Sequence, residues 1–139
     1  MKMPVAKKNV IALDIGERRI GVALADTETR LPRPLKTLEV SEQTVGQVND
    51  ILGQYDIEQV VVGYPRNQEG EPTKQTAQVE AFVQQLKLPE NIQIAWQDES
   101  LTSVQAEAEI ESRGGSYSKA DVDALAATYI LQDYLQEHA

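Results

Sequence analysis

The chain has 139 residues, with 22 acidic and 13 basic side chains, a formal charge of −9, one His and no Cys. Without Cys there is neither a disulfide framework nor a thiolate metal site, and His138 alone cannot build a His-rich centre or a Ser-His-Asp triad. No apolar run nears the ~20 residues of a membrane-spanning helix, and the polar start Met1 to Asn9 lacks the apolar core of a signal peptide. A cytoplasmic chain folding as one domain over 1–139 is therefore expected, with 1–8 as a flexible tail. Residues 1–69 hold nine basic and ten acidic groups, and residues 70–139 hold four and twelve. That balance excludes broad coating of nucleic acid, which needs many Lys and Arg contacts to phosphate. It leaves open a nucleic-acid enzyme whose carboxylates hold cations.

The elements follow in chain order, with no internal repeat. Val10 to Ile15 is short and almost continuously apolar, the pattern of a buried strand. Gly16-Glu17-Arg18 is a turn, and Ile20 to Ala25 returns as a second strand in a hairpin. Pro32 and Pro34 break the chain, and Leu35 to Val40 forms a weaker third strand. Ser41 has the chemistry of a helix N-cap, with Val45, Val48, Ile51 and Leu52 on one face and an end near Gly53. Gln59 to Gly63 is a short buried strand. Pro72 suits a first helical turn, and Val79, Phe82, Val83 and Leu86 form that helix's apolar stripe. Asn91 to Gln97 reads as a strand with Ile92, Ile94 and Trp96 on one face. Thr102 and Gln105 have capping-box spacing for a short helix ending before Gly114-Gly115, and Ser118 caps a last helix from Lys119 to about Gln136. The order β-β-β-α-β-α-β-α-α predicts an α/β fold. Its mixed five-stranded sheet combines an antiparallel three-strand meander with parallel strands, and helices flank it.

Several carboxylates stand in apolar surroundings. Asp14 lies inside the first strand, where a carboxylate needs donors, a cation or protonation, although Asp also bonds the turn that follows it. Asp123 shares its helical stripe with Ala126, Ala127, Ile130, Leu131, Tyr134 and Leu135. Its competing reading is a favourable place near the helix N-terminus, or a pair with Lys119. Asp121 has the spacing of a capping residue after Ser118. Asp98 and Glu99 end the last strand, where α/β sheets present ligands. Alternation places Asp98 with Trp96 and Glu99 on the opposite face. Two carboxylates ~4 Å apart repel by ~4 kcal/mol at an effective dielectric near 20, so such a cluster calls for hard, oxygen-binding cations.

Four segments in order carry a specific resemblance. They are Asp14-Ile-Gly16-Glu-Arg18-Arg19-Ile20-Gly21-Val22-Ala23, Val62-Gly63-Tyr64-Pro65 with Gly70, Asp98-Glu99-Ser100-Leu101-Thr102-Ser103, and Lys119-Ala-Asp-Val-Asp123-Ala-Leu-Ala126-Ala127. Together they resemble the YqgF/RuvX family of pre-16S rRNA nucleases, once called Holliday junction resolvases, over about residues 9–136. The resemblance implies an RNase H-like fold and a catalytic, metal-binding triad of Asp14, Glu99 and Asp123. It also implies Mg²⁺ or Mn²⁺ in a two-metal phosphodiester cleavage. The implied partner is nucleic acid: the 5′ end of pre-16S rRNA, or branched DNA.

Ser100 departs from the family's Arg and removes a bidentate phosphate donor. Arg18, Arg19, Arg66, Lys74 and Lys119 are the candidate substrate-binding cations in its place, each with an ordinary surface role as the alternative. Tyr64 and Tyr117 could stack on bases or pack their loops. Glu99 lies one strand beyond the usual neighbour of Asp14, so Gly63, having no side chain, is expected to clear its path. Two other readings compete: a non-catalytic nucleic-acid-binding module on the same scaffold, and a sugar-kinase or actin-like ATPase, which needs a second lobe for which 139 residues leave no room.

Overall fold

The computed structural model describes residues 8–65, 71–88, 92–98, 108–112 and 119–138. Its strands are β1 (Asn9–Ile15), β2 (Arg19–Asp26), β3 (Arg33–Glu39), β4 (Ile57–Tyr64) and β5 (Ile94–Asp98). Its helices are α1 (Thr44–Gln54), α2 (Lys74–Gln84), a helical run over 108–112 (α3) and α4 (Lys119–Glu137). The five strands form one sheet in the order β3-β2-β1-β4-β5. β1–β2 and β2–β3 are antiparallel, while β1–β4 and β4–β5 are parallel. This is the mixed sheet expected from the sequence.

The two faces of the sheet are unlike. On one, Ile11, Leu13, Ile15, Ile20, Val22, Val60 and Val62 meet Val48, Ile51 and Leu52 of α1 and Val79 and Val83 of α2. Each such side chain, fully buried, contributes about 1.5–3 kcal/mol. On the other face, small residues predominate: Val10, Ala12, Ala23, Ala25 and Val61 receive Ala127, Ile130, Leu131 and Leu135 of α4. The helical run α3 adds Ile110 against Val122 and Ala126 of α4. β1 thus reads as continuously apolar because both of its faces are covered.

Local departures have identifiable causes. Pro34 does not break the chain; it lies inside β3, beside a register shift at Val22/Ala23. That is tolerable because β3 is an edge strand, with one side free of ladder partners. Helix α1 starts at Thr44 with Gln43 as its cap, two residues later than Ser41. Ser41 and Thr44 bond each other reciprocally through the turn, the Ser41 N–H donating to Thr44 Oγ1 at 2.6 Å and the Thr44 N–H to the Ser41 carbonyl at 3.3 Å. Pro72 precedes α2 instead of entering its first turn. The cap is Thr73, in a capping box with Thr76, and the Thr76 hydroxyl also donates to the Pro65 carbonyl. β5 begins at Ile94, so Ile92 precedes it. Lys8, placed in the tail by the sequence reading, is tied down: its carbonyl accepts from the Thr27 N–H at 2.9 Å. At the far end Arg30, in the left-handed region with φ 55°, donates from Nη2 to the Leu135 carbonyl at 2.9 Å and the His138 carbonyl at 3.2 Å. A cation so placed satisfies carbonyls that the end of α4 leaves without helical partners. The expected start at Thr102 and Ser118 as a cap lie outside the described residues, while the stretch 108–112 of the expected helix is helical.

Candidate functional site

The site is built on one row of the sheet. Strand alternation turns Arg19, Gly21, Ala23 and Ala25 of β2 towards α4, and Val10, Ala12 and Asp14 of β1 with them. Asp14 pairs directly with Gly21. On its other side, one residue beyond the Leu13–Val62 pair, Asp14 comes level with Gly63 of β4, which pairs with Gln97 of β5. The half-buried Asp14 carboxylate therefore stands between two strand glycines, near the C-terminal end of β1. Ligands of open α/β sheets bind at such strand ends.

Gly21 also brings in the second acid. A Cβ at this position would lie 2.0 Å from the Asp123 carbonyl oxygen and 2.4 Å from its carbon, so only Gly lets α4 settle here. Asp14 and Gly21 are direct antiparallel partners, and such Cα atoms lie about 4.5–5.5 Å apart. The main chain at Asp123 thus rests within about one strand spacing of Asp14. Ala126 and Ala127, small residues on the same stripe, permit this close approach, and both are fully buried.

Asp123 has a cationic partner. Arg19 Nε donates to Asp123 Oδ2 at 2.5 Å, with the two side chains 29% and 25% exposed. A charge-assisted bond of this kind fixes the carboxylate's orientation. Arg19 is thus engaged with the acid, and Lys119, weighed as its partner, starts α4 with a side chain outside the described residues. The signal for Arg19 was its place two residues before Gly21, on the same strand face. The signal for Gly21 was a Gly inside a strand, which marks a close backbone approach.

The other candidate residues separate. Arg18 is exposed on the β1–β2 turn, where its carbonyl accepts from the Val40 N–H at 2.8 Å. Lys74, the first residue of α2, lies near Glu17, Gln75 and Gln78 on the α1/α2 side of the sheet, away from Asp14. Asp98 is exposed and shares the Trp96 face of β5. Asp121 is exposed in the first turn of α4, where an acid complements the helix dipole. Glu99, Ser100, Arg66 and Tyr117 lie outside the described residues. Among the described residues no group of three His, Cys, Asp or Glu side chains forms a metal-binding cluster. Among the described residues the candidate donors are the carboxylates of Asp14 and Asp123, which fit a hard divalent cation over a soft one.

Known proteins agree with this architecture. A Chloroflexus aggregans protein named "Putative pre-16S rRNA nuclease" is 38% identical over 133 residues, 93% of this chain and 94% of its own length. A Yersinia pseudotuberculosis protein of the same name is 35% identical, covering 97% of this chain and 99% of its own. Among solved structures, the Fowlpox virus resolvase, crystallised with Holliday junction DNA, superposes with a TM-score of 0.56 at 13% identity over 94% of this chain, a likeness of fold. No helix among the described residues is long and apolar enough to cross a membrane. The family model described as "RuvX: Holliday junction resolvase" matches residues 8–137, and with relatives of this identity and coverage the chain belongs to the RuvX family.

Proposed function

We propose that the protein is a divalent-cation-dependent nuclease that hydrolyses phosphodiester bonds of ribosomal RNA precursor in the cytoplasm. The observation that carries this reading is the seating of the Asp123 main chain on Gly21, the direct strand partner of Asp14, near the strand end where α/β folds bind ligands. Asp14 and Asp123 would hold the cation, Mg²⁺ or Mn²⁺, with Glu99 as third ligand on the strength of its motif. When bound, a pair of such ions supplies an activated water and neutralises charge on the leaving oxygen. Arg19 holds Asp123 in a fixed orientation and offsets negative charge where a phosphate must approach.

The names of the relatives favour pre-16S rRNA as substrate. The family's description favours a second reading, cleavage of branched DNA by the same residues. Side-by-side assays on pre-16S RNA and a four-way DNA junction, with Mg²⁺ or Mn²⁺, separate the two. Asp14→Asn is expected to abolish cleavage of the true substrate while leaving the melting temperature nearly unchanged. Equal cleavage by both proteins would overturn the site. Inactivity of the wild type on both substrates, with binding retained, would make the protein a binding module.

A further inference from the structure

Large apolar side chains are exposed at three described positions, and one of them differs in kind. Leu31 and Val40 flank β3 at one edge of the sheet. Trp96 stands at the opposite edge, on β5, 41% exposed. It does not hang loose. The Tyr64 ring meets it edge-on at 5.2 Å between centroids and 78° between planes. Tyr64 is itself fixed, its hydroxyl donating to Glu80 Oε1 of α2 at 3.0 Å. A T-shaped pair adds roughly 0.5–1.5 kcal/mol beyond buried area, so Tyr64 holds Trp96 in place while leaving much of the indole open to solvent.

We propose that Trp96 is a stacking platform for an unpaired nucleobase of the substrate strand. The proposal rests on the nuclease reading and adds to it a base-binding position away from the acids. Trp96 is level with Val62, whereas Asp14 is level with Gly63, two strands away and on the other face. Two strand spacings are roughly 10 Å before the thickness of the sheet is added, so a base held here belongs to a nucleotide beyond the pair at the cut. A stable protein interface needs ~800 Å² on each partner. One open indole, with no second large apolar residue exposed beside it among the described residues, has the size of a base instead. Glu80 and Asp98 border the pair and repel phosphate, which leaves the ring faces as the attractive surface. Stacking needs a splayed base, and in a duplex the base faces are already occupied. The platform therefore selects single-stranded nucleic acid, and because the bordering acids repel phosphate, added salt should not weaken binding.

Trp96 is the only Trp of the chain, so its emission reports on this position alone. The test titrates the full-length protein, in chelator and without divalent ions, with a short single-stranded RNA, the matching DNA and a blunt duplex. Saturable quenching by the single strands, not weakened by added salt and absent with the duplex, is expected. Labelled single strand should bind Trp96→Ala roughly 5- to 100-fold more weakly, the range of one lost base stack, and Trp96→Phe nearly as well as wild type. If the Ala variant unfolds, Trp96→Leu against Trp96→Phe decides, since only the aromatic residue keeps binding. Absence of quenching by single strands, equal quenching by the duplex, or unchanged binding by Trp96→Ala or Trp96→Leu would overturn the platform. So would an emission change that follows protein concentration, which would assign the ring to a second copy of the chain. Quenching without cleavage of any substrate refutes the nuclease reading and leaves the platform standing. Cleavage without quenching refutes the platform alone.

Discussion

Replacing Gly21 by Ala adds one methyl group where the sheet has no room for it. That carbon would lie 2.0 Å from the Asp123 carbonyl oxygen, 2.4 Å from the carbonyl carbon and 3.0 Å from the Ala124 nitrogen. All three obstacles are main chain, so no rotamer change relieves them. An ordinary contact begins at 3.4 Å, and the helix must retreat from 2.0 Å to at least that distance, about 1.4 Å. Ala126, Ala127, Ile130 and Leu131 of α4 are fully buried, and a radial gap of even 0.5–1 Å forfeits about a quarter to a half of each van der Waals contact. With overpacking alone costing about 1–3 kcal/mol, a loss of about 2–4 kcal/mol is expected. For a domain of this size that lowers the melting temperature by about 10 °C. Gly53→Ala is the control: nothing lies within 4 Å of its Cβ position, and Ala in an exposed turn of α1 should raise stability by about 0.5–1 kcal/mol. Thermal melts of the three proteins decide. If Gly21→Ala melts within a degree of the wild type, α4 is not seated on β2 through this glycine, and the juxtaposition of Asp14 with Asp123 loses its support.

Other substitutions probe the charges. Arg19→Gln removes the guanidinium from Asp123. Because both side chains are partly exposed, the stability cost should stay under about 1 kcal/mol. Calorimetric titration with Mn²⁺ should show tighter binding, since the cation no longer competes with Arg19; weaker binding would mean that Arg19 orients the ligand more than it masks it. Asp133 is held above the ordinary carboxylate range, first by partial burial and second by Glu137 one turn on. Its folded form then binds the proton more tightly than its unfolded form. Its contribution to stability is present below the unfolded value of 3.8 and is lost as pH rises through the raised folded value. Asp133→Asn should therefore melt higher than wild type at pH 7, with the gap closing as pH falls below that window. Arg30→Met, which uncaps the Leu135 and His138 carbonyls, should cost about 1 kcal/mol and speed amide exchange in the last turn of α4.

The sheet was legible because burial writes itself into local pattern. β1 read as an apolar run broken by Asp14, β4 carried the apolar run Val60 to Val62, and the hairpin returns at once through Gly16. Asp14 and Asp123 stood out because each interrupts an apolar pattern that sterics otherwise require. What escaped the sequence depends on neighbours distant in the chain. The Arg19–Asp123 pair joins residues 104 apart, and nothing local distinguishes it from a pair with Lys119. Gly21 was visible as part of a motif, but its steric role needs the main chain of α4. Alternation placed Trp96 with Ile92 and Ile94, yet it could not say that β5 ends the sheet and leaves the indole open. Pro34 read as a breaker because edge position, which licenses it, is a property of strand order.

The row through Gly21, Asp14 and Gly63 has a genetic consequence. Two of its members can fail for unrelated reasons. A lesion at Gly21 strikes packing, so its severity should grow with growth temperature and ease in a stabilised background. On the proposed function a lesion at Asp14 strikes chemistry, so it should be equally severe at every temperature and indifferent to stabilising substitutions elsewhere. Adjacent residues on paired strands would then sort into conditional and unconditional alleles, and a simple temperature shift, with no biochemical assay, would report which side of the row had been hit.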